Sequence, residues 1–162
     1  MTENRDEILE AYSPLIRRIA VSYMPPGPRR EDLEQDIAVA VLKAVPSFRG
    51  EASMKTYIYR IAQNCGVDAL KRQYSDHDEF DGRRHGTRKR TPEQTTLERE
   101  RQERLADAIR QLPLSLRQPL VLRLEGLAYD EIAEILKLTT SNVGVRIHRA
   151  KAALKSKLGG TS

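Results

Sequence analysis

Tyr129-Asp130-Glu131-Ile132-Ala133-Glu134-Ile135-Leu136, then Lys137-Leu138-Thr139, then Thr140-Ser141-Asn142-Val143-Gly144-Val145-Arg146-Ile147-His148-Arg149-Ala150-Lys151-Ala152-Ala153-Leu154 is the stretch that decides the fold. Its first piece sets Ile132, Ala133, Ile135 and Leu136 at the spacing of a short amphipathic helix. In its last piece Val143, Ile147, Ala150 and Leu154 share one helical face. Two helices joined by so short a turn, the second one basic, have the pattern of a helix-turn-helix. With Val143 and Ile147 inward, the second helix presents Thr140, Ser141, Asn142, Val145, Arg146, Arg149 and Lys151 outward, with Thr139 in the turn. The first residues of such a helix reach base edges. A carboxamide suits adenine and a guanidinium suits guanine, so Asn142 and Arg146 are candidate base readers. Arg149, Lys151 and Lys155 lie further along, where phosphates are met. A plain helical hairpin with a solvated basic face has the same pattern and no partner.

Charge supports a polyanionic partner for this end. The chain has 162 residues, 28 Lys and Arg against 23 Asp and Glu, and a net charge of +5. After Glu134 come Lys137, Arg146, Arg149, Lys151, Lys155 and Lys157 and no acid. A basic end on an otherwise balanced chain is the electrostatic footprint of a nucleic-acid binder. Composition excludes other classes. No stretch approaches the roughly 18 apolar residues of a membrane span. The polar start, Met1 to Asp6, lacks the apolar core of a signal peptide. The chain is therefore expected to be cytoplasmic and not itself a membrane protein. Its lone cysteine, Cys65, forms neither an internal disulfide nor a thiolate zinc site. His77, His85 and His148 stand far apart. No metal and no cofactor is expected.

Working outward, nearly every segment reads as helix, so the fold class expected is all-α, two small helical domains joined by a flexible linker. Asn4 with Glu7 makes a start signal, and Ile8, Tyr12, Leu15, Ile16, Ile19 and Tyr23 follow at helical spacing. Pro14 predicts a kink, or two helices with Ser13 capping the second. A second helix is expected over 29–45, with Leu33, Ile37, Ala40, Val41 and Ala44 inward. A third is expected over 53–73, with Ile58, Ile61, Ala62, Cys65 and Ala69 inward. Residues 75–96 hold almost no apolar side chain and read as a solvated linker between domains 1–74 and 97–162. It ends on the helix signal Thr91-Pro92-Glu93-Gln94. The helix that follows should turn Leu105, Ala108, Ile109 and Leu112 inward. Ser115 with Gln118 starts the next, which ends at Gly126.

Residues 124–136, followed by Val143 and Arg146-Ile147-His148-Arg149-Ala150-Lys151, resemble the C-terminal DNA-binding domain of bacterial RNA polymerase sigma factors of the extracytoplasmic-function group. The N-terminal half resembles the same family. Asp32-Leu33-Glu34-Gln35-Asp36-Ile37 through Val45 is similar to its polymerase-binding segment. Phe48-Arg49-Gly50-Glu51-Ala52-Ser53 and Thr56-Tyr57-Ile58-Tyr59-Arg60-Ile61-Ala62-Gln63-Asn64 are similar to its promoter −10 segment. The resemblance implies a non-catalytic subunit that binds the clamp and flap region of core RNA polymerase and promoter DNA. In that family an anti-sigma factor, often membrane-anchored, holds the subunit inactive.

The resemblance implies that Asp32, Gln35 and Asp36 contact the polymerase. By spacing these three share one side of a helix, which equally describes a solvated acidic face. It also implies that Phe48, Arg49, Glu51, Ser53, Tyr57, Arg60, Asn64, Lys71 and Arg72 meet the −10 element. The −35 element falls to Thr139, Thr140, Ser141, Asn142, Val145, Arg146, Arg149 and Lys151. Phe48 is equally a core plug, and core packing suits one of Tyr57 and Tyr59. Asn64 sits mid-helix, an unfavourable place for asparagine without a task.

Three residues depart from the family pattern. Ala128 lacks the hydroxyl of a helix cap, a loss of about 1 kcal/mol. Lys137 stands where a turn glycine is usual, and Gly144 interrupts the last helix. Two other classes remain open on sequence alone. One is a stand-alone helix-turn-helix regulator. The other is a nuclease using Asp32, Glu34 and Asp36, which lack a second acidic cluster or histidine to complete a metal site.

Overall fold

The structure, a computed structural model, describes residues 2–50, 53–79 and 96–159, with side chains over 5–50, 53–73 and 96–159. Among the described residues there are seven α-helices, one 3-10 turn and no strand. They fall into two compact units, Met1–Arg88 and Lys89–Ser162.

The N-terminal unit packs α1 (Thr2–Tyr23), α2 (Pro28–Ala44) and α3 (Met54–Glu79) on one another, with a 3-10 turn (Val45–Ser47) between the last two. Pro14 does not break α1, which runs through it, and Ser13 is helical rather than a cap. An interior proline costs about 3 kcal/mol through a lost bond and a clash with the carbonyl four residues back. Pro14 and Glu10 both lie on the exposed side, where water reaches the freed carbonyl. Leu15, Ile16 and Ile19 are buried on the other side. Each contributes about 1.5–3 kcal/mol, which together outweighs the proline.

Pro28 takes the first position of α2, where a missing N–H is no loss. Arg30 Nε donates to the Met24 carbonyl at 2.9 Å and closes the turn. Leu33, Ile37 and Val41 are buried, one turn apart. Ser53 caps α3, its Oγ accepting from the Thr56 N–H at 3.0 Å. Ile58, Tyr59, Ala62 and Ala69 face the core. Gly66 marks the closest approach: a Cβ there would lie 2.5 Å from the Tyr23 ring. The Tyr23 hydroxyl donates to Gln63 Oε1 and holds that ring over the α3 backbone. The helix continues to Glu79, past Gln73 and into the stretch expected to be linker. Nothing between Met54 and Glu79 stops it, for the segment holds no proline.

The C-terminal unit holds α4 (Leu97–Arg110), α5 (Leu114–Leu124), α6 (Tyr129–Leu136) and α7 (Thr140–Gly159), with α7 packed against the other three. The Thr91-Pro92 signal lies outside the described residues. Thr96 caps α4, its Oγ1 accepting from the Arg99 N–H at 3.0 Å. Leu105 is 40% exposed rather than inward, while Ala108, Ile109 and Leu112 are buried, so burial on α4 begins only in its last turns. Pro113, not Ser115, stands at the N-cap of α5.

Arg117 is buried, and its guanidinium donates to the carbonyls of Arg110 at 2.7 Å and Leu112 at 3.1 Å. A helix end leaves such carbonyls without backbone donors, and the negative end of the helix dipole favours a cation there. At the end of α5, Gly126 adopts φ 95°, the Leu127 N–H reaches the Leu122 carbonyl at 3.2 Å, and the Gly126 N–H reaches Arg123 at 2.9 Å. These two bonds satisfy carbonyls the helix end would leave orphaned, and only glycine takes that φ without strain.

Candidate functional site

The helix-turn-helix has the expected bounds. Ala128 has no side-chain acceptor, yet only part of the cap is lost. Its own N–H donates to Glu131 Oε1 at 2.8 Å, and Asp130 Oδ1 accepts from the Glu131 N–H at 3.0 Å. Lys137 is left-handed, φ 60° and ψ 49°. The strain, about 1 kcal/mol for a side chain with Cβ, is accepted because the Leu138 N–H then closes on the Ala133 carbonyl at 3.0 Å. Thr139 Oγ1 accepts from the Asn142 N–H at 3.0 Å, so its hydroxyl caps α7.

Val143, Ile147 and Ala150 are buried. Thr139, Thr140, Ser141, Asn142, Val145, Arg149 and Lys151 are exposed, and Arg146 is half-buried. Asn142 and Arg146 are joined: Arg146 Nε donates to Asn142 Oδ1 at 2.7 Å. Arg146 Nη1 also reaches the Ser115 carbonyl on α5 at 3.3 Å. Gly144 has a packing role that its sequence position does not reveal. A Cβ there would meet the Tyr129 ring at 3.3 Å, and the Arg123 guanidinium covers that ring at 5.2 Å from its centroid.

In the N-terminal unit, Asp32, Gln35 and Asp36 are exposed along α2. Val39, 50% exposed, belongs to the same side at i+3, i+4 and i+7 from them. That spacing is visible in the sequence, but the exposure is not, because valine is a residue type of cores. Asp36 meets Arg72 of α3 at 3.1 Å, with the arginine side chain 60% and the aspartate 51% exposed. At such exposure the pair contributes no more than about 1 kcal/mol. It links a residue of the acidic face to one of the basic set.

The −10 candidates divide. Phe48 and Tyr57 are half-buried and packed ring against ring at 5.2 Å, and the Tyr57 hydroxyl donates to the Ala44 carbonyl at 3.1 Å. Tyr59 is buried and is the tyrosine that belongs to the core. Tyr57, Arg60, Asn64 and Lys71 fall along one stripe of α3, interrupted by Asp68. Asn64, Lys71 and Arg49 are exposed and Arg60 is half-buried. Arg60 Nε is buried with no partner among the described residues. Ser53 is exposed and spends its hydroxyl on the cap. Glu51 lies outside the described residues. Cys65 is half-buried beneath this surface. Burial first, then the Asp36 and Asp68 carboxylates, push its thiol up, with Arg72 pulling the other way. Such a shift disfavours the thiolate.

Among the described residues an acidic helix face, an exposed polar stripe and a helix-turn-helix with a basic second helix are the surface features of a nucleic-acid-binding class of protein. Comparison with known proteins narrows this. Sigma-70 region 2 matches residues 8–75, and Sigma-70 region 4 matches residues 102–154. The ECF RNA polymerase sigma-E factor of Haemophilus influenzae is 33% identical over 138 residues, spanning 78% of this chain and 73% of its own length. That of Escherichia coli is 32% identical over 158 residues, with 91% and 82% covered. The RNA polymerase sigma-H factor of Pseudomonas aeruginosa is 30% identical over 164 residues, with 94% and 85% covered. The fold is similar to that of the sigma factor RpoE from Bartonella quintana, solved in complex with the anti-sigma factor NepR. There the TM-score is 0.78 at 20% identity, covering 97% of this chain and 98% of that one. It is also similar to CnrH, solved with the cytosolic domain of CnrY, at TM-score 0.74 and 21% identity over 100% and 92% of the two chains. The chain belongs to the extracytoplasmic-function sigma factors of the sigma-70 family.

Proposed function

We propose that this sigma factor acts as a non-catalytic, dissociable cytoplasmic subunit of RNA polymerase, with its tasks divided between the two units. The α2 face of Asp32, Gln35 and Asp36, with Val39 among them, docks on the clamp of the largest subunit. The loop of Phe48, Arg49 and Glu51, with Ser53, Tyr57, Arg60, Asn64, Lys71 and Arg72, holds the unpaired −10 strand. The first turns of α7, from Thr139 through Asn142, Val145 and Arg146 to Arg149 and Lys151, enter the −35 major groove. The flap region of the polymerase takes the C-terminal unit. Melting needs no chemistry: a surface that prefers the open strand shifts the duplex equilibrium. One structural neighbour was solved in complex with an anti-sigma factor. We extend that form of control to this chain.

The observation that carries the reading is the α3 stripe. Asn64 stands exposed in a helix interior, away from the core that Ile58, Tyr59 and Ala62 fill. Run-off transcription with core RNA polymerase tests it. Specific transcripts should appear only when the chain is added. Asp36→Arg should abolish association with the polymerase. Asn64→Ala should keep association and lose open complex about tenfold, as expected for contacts worth ~1–3 kcal/mol per base. Equal loss of both in Asn64→Ala contradicts the assignment. A chain that retards intact duplex alone and ignores the polymerase is a stand-alone regulator.

A further inference from the structure

We infer that Asn142 is a positioning residue for Arg146 rather than a reader of adenine, and that Arg146, held in place by it, selects guanine. This rests on the assignment of α7 to the upstream duplex.

Arginine has donors and no acceptor. The carboxamide atom facing Arg146 Nε at 2.7 Å must therefore be the oxygen, which fixes the orientation of the amide. Recognition of adenine by asparagine uses both ends of the amide: the oxygen accepts from N6 and the nitrogen donates to N7. Here the oxygen already spends one of its two lone pairs on a charge-assisted bond, which turns the amide toward the guanidinium of its own helix. A second acceptor holds the other side of the guanidinium, the Ser115 carbonyl at 3.3 Å from Nη1. Within α5 that carbonyl would normally accept from the N–H four residues on. That residue is Pro119, which has none. A proline in one helix thus frees a carbonyl that anchors an arginine of another.

Held at Nε and Nη1, Arg146 keeps its remaining N–H groups on Nη1 and Nη2, and these donors are what it can offer a base. Guanine alone presents two acceptors, N7 and O6, and no donor on its major-groove edge. Adenine pairs an acceptor with a donor.

The test uses the full chain with core RNA polymerase and a promoter library randomised in the upstream element, read by run-off transcript abundance. A parallel template carries 7-deazaguanine, which lacks N7. Wild type should prefer guanine over adenine at one step by about tenfold, and 7-deazaguanine should remove most of that preference. Asn142→Ala should bring the ratio below about threefold by releasing Arg146. Asn142→Asp keeps an oxygen for Nε, so it should keep the ratio even where the added charge lowers total output. A merely structural role would not separate these two variants at a single base step. An unchanged ratio in Asn142→Ala overturns the inference. So does an adenine preference in wild type that Asn142→Asp abolishes. If wild-type output ignores the upstream element altogether, the assignment of α7 fails and the inference falls with it.

Discussion

Both units have an apolar core, but in the N-terminal unit an arginine on a carbonyl closes a single turn, whereas in the C-terminal unit Arg117, Arg123 and Arg146 each tie one segment to another through a carbonyl. Tyr23 lies on the bare backbone of Gly66, and Leu33, Ile37 and Val41 of α2 are buried. On the other side Arg117 closes the end of α4, Arg123 reaches the Leu127 carbonyl at 3.0 Å, and Arg146 reaches Ser115. Of the side chains proposed to act in the first unit, Asp32 and Asn64 stand outside what holds it together, while Ser53, the cap of α3, and Tyr57, bonded to the Ala44 carbonyl, belong to both. In the second unit Thr139 and Arg146 belong to both. A functional defect there needs a stability measurement beside it; a defect at Asn64 does not.

The largest test of this contrast is Arg117→Met. It leaves two helix-end carbonyls short of donors and should cost about 3 kcal/mol, read from the urea midpoint of the full chain by circular dichroism. A loss under about 1 kcal/mol would mean that packing, not the arginine, holds α4 to α5. Gly66→Ala comes next. Overpacking against Tyr23 should cost about 2 kcal/mol even after the roughly 1 kcal/mol regained in helix propensity. An unchanged or raised midpoint would show the ring gives way freely. Smallest is Asn64→Ala, which should leave the midpoint within about 0.5 kcal/mol of wild type, as for a surface position outside any cap or network. A larger loss would place Asn64 in the scaffold after all.

The fold was legible where its signals are local. Gly126 after α5 and the turn Lys137-Leu138-Thr139 between α6 and α7 each mark a helix end close to where the structure has it. Local reading failed where packing overrode it. Pro14 promised a break, but the buried stripe of α1 carried the helix through. The end of the apolar stripe promised the end of α3, but a helix without a breaker ran on to Glu79. Leu105 kept the period of a core residue and stayed exposed. Of the candidate site, the exposure of Asp32, Gln35, Asp36 and Asn64 followed from periodicity alone. The pairings did not. Asp36 with Arg72 and Ser115 with Arg146 join residues far apart in sequence, and only the packing of helices brings them together. Asn142 and Arg146 are four apart, and that spacing allows contact, but it does not tell whether the two meet each other or a base.

The seat of Tyr23 on Gly66 also constrains how this protein can change over generations. A side chain at 66 displaces the phenol ring from that ground at a cost in stability. Any lineage that gains an alanine or serine there is expected to have traded the tyrosine for something slimmer, so the two positions should be inherited as a linked pair, one from each of two helices.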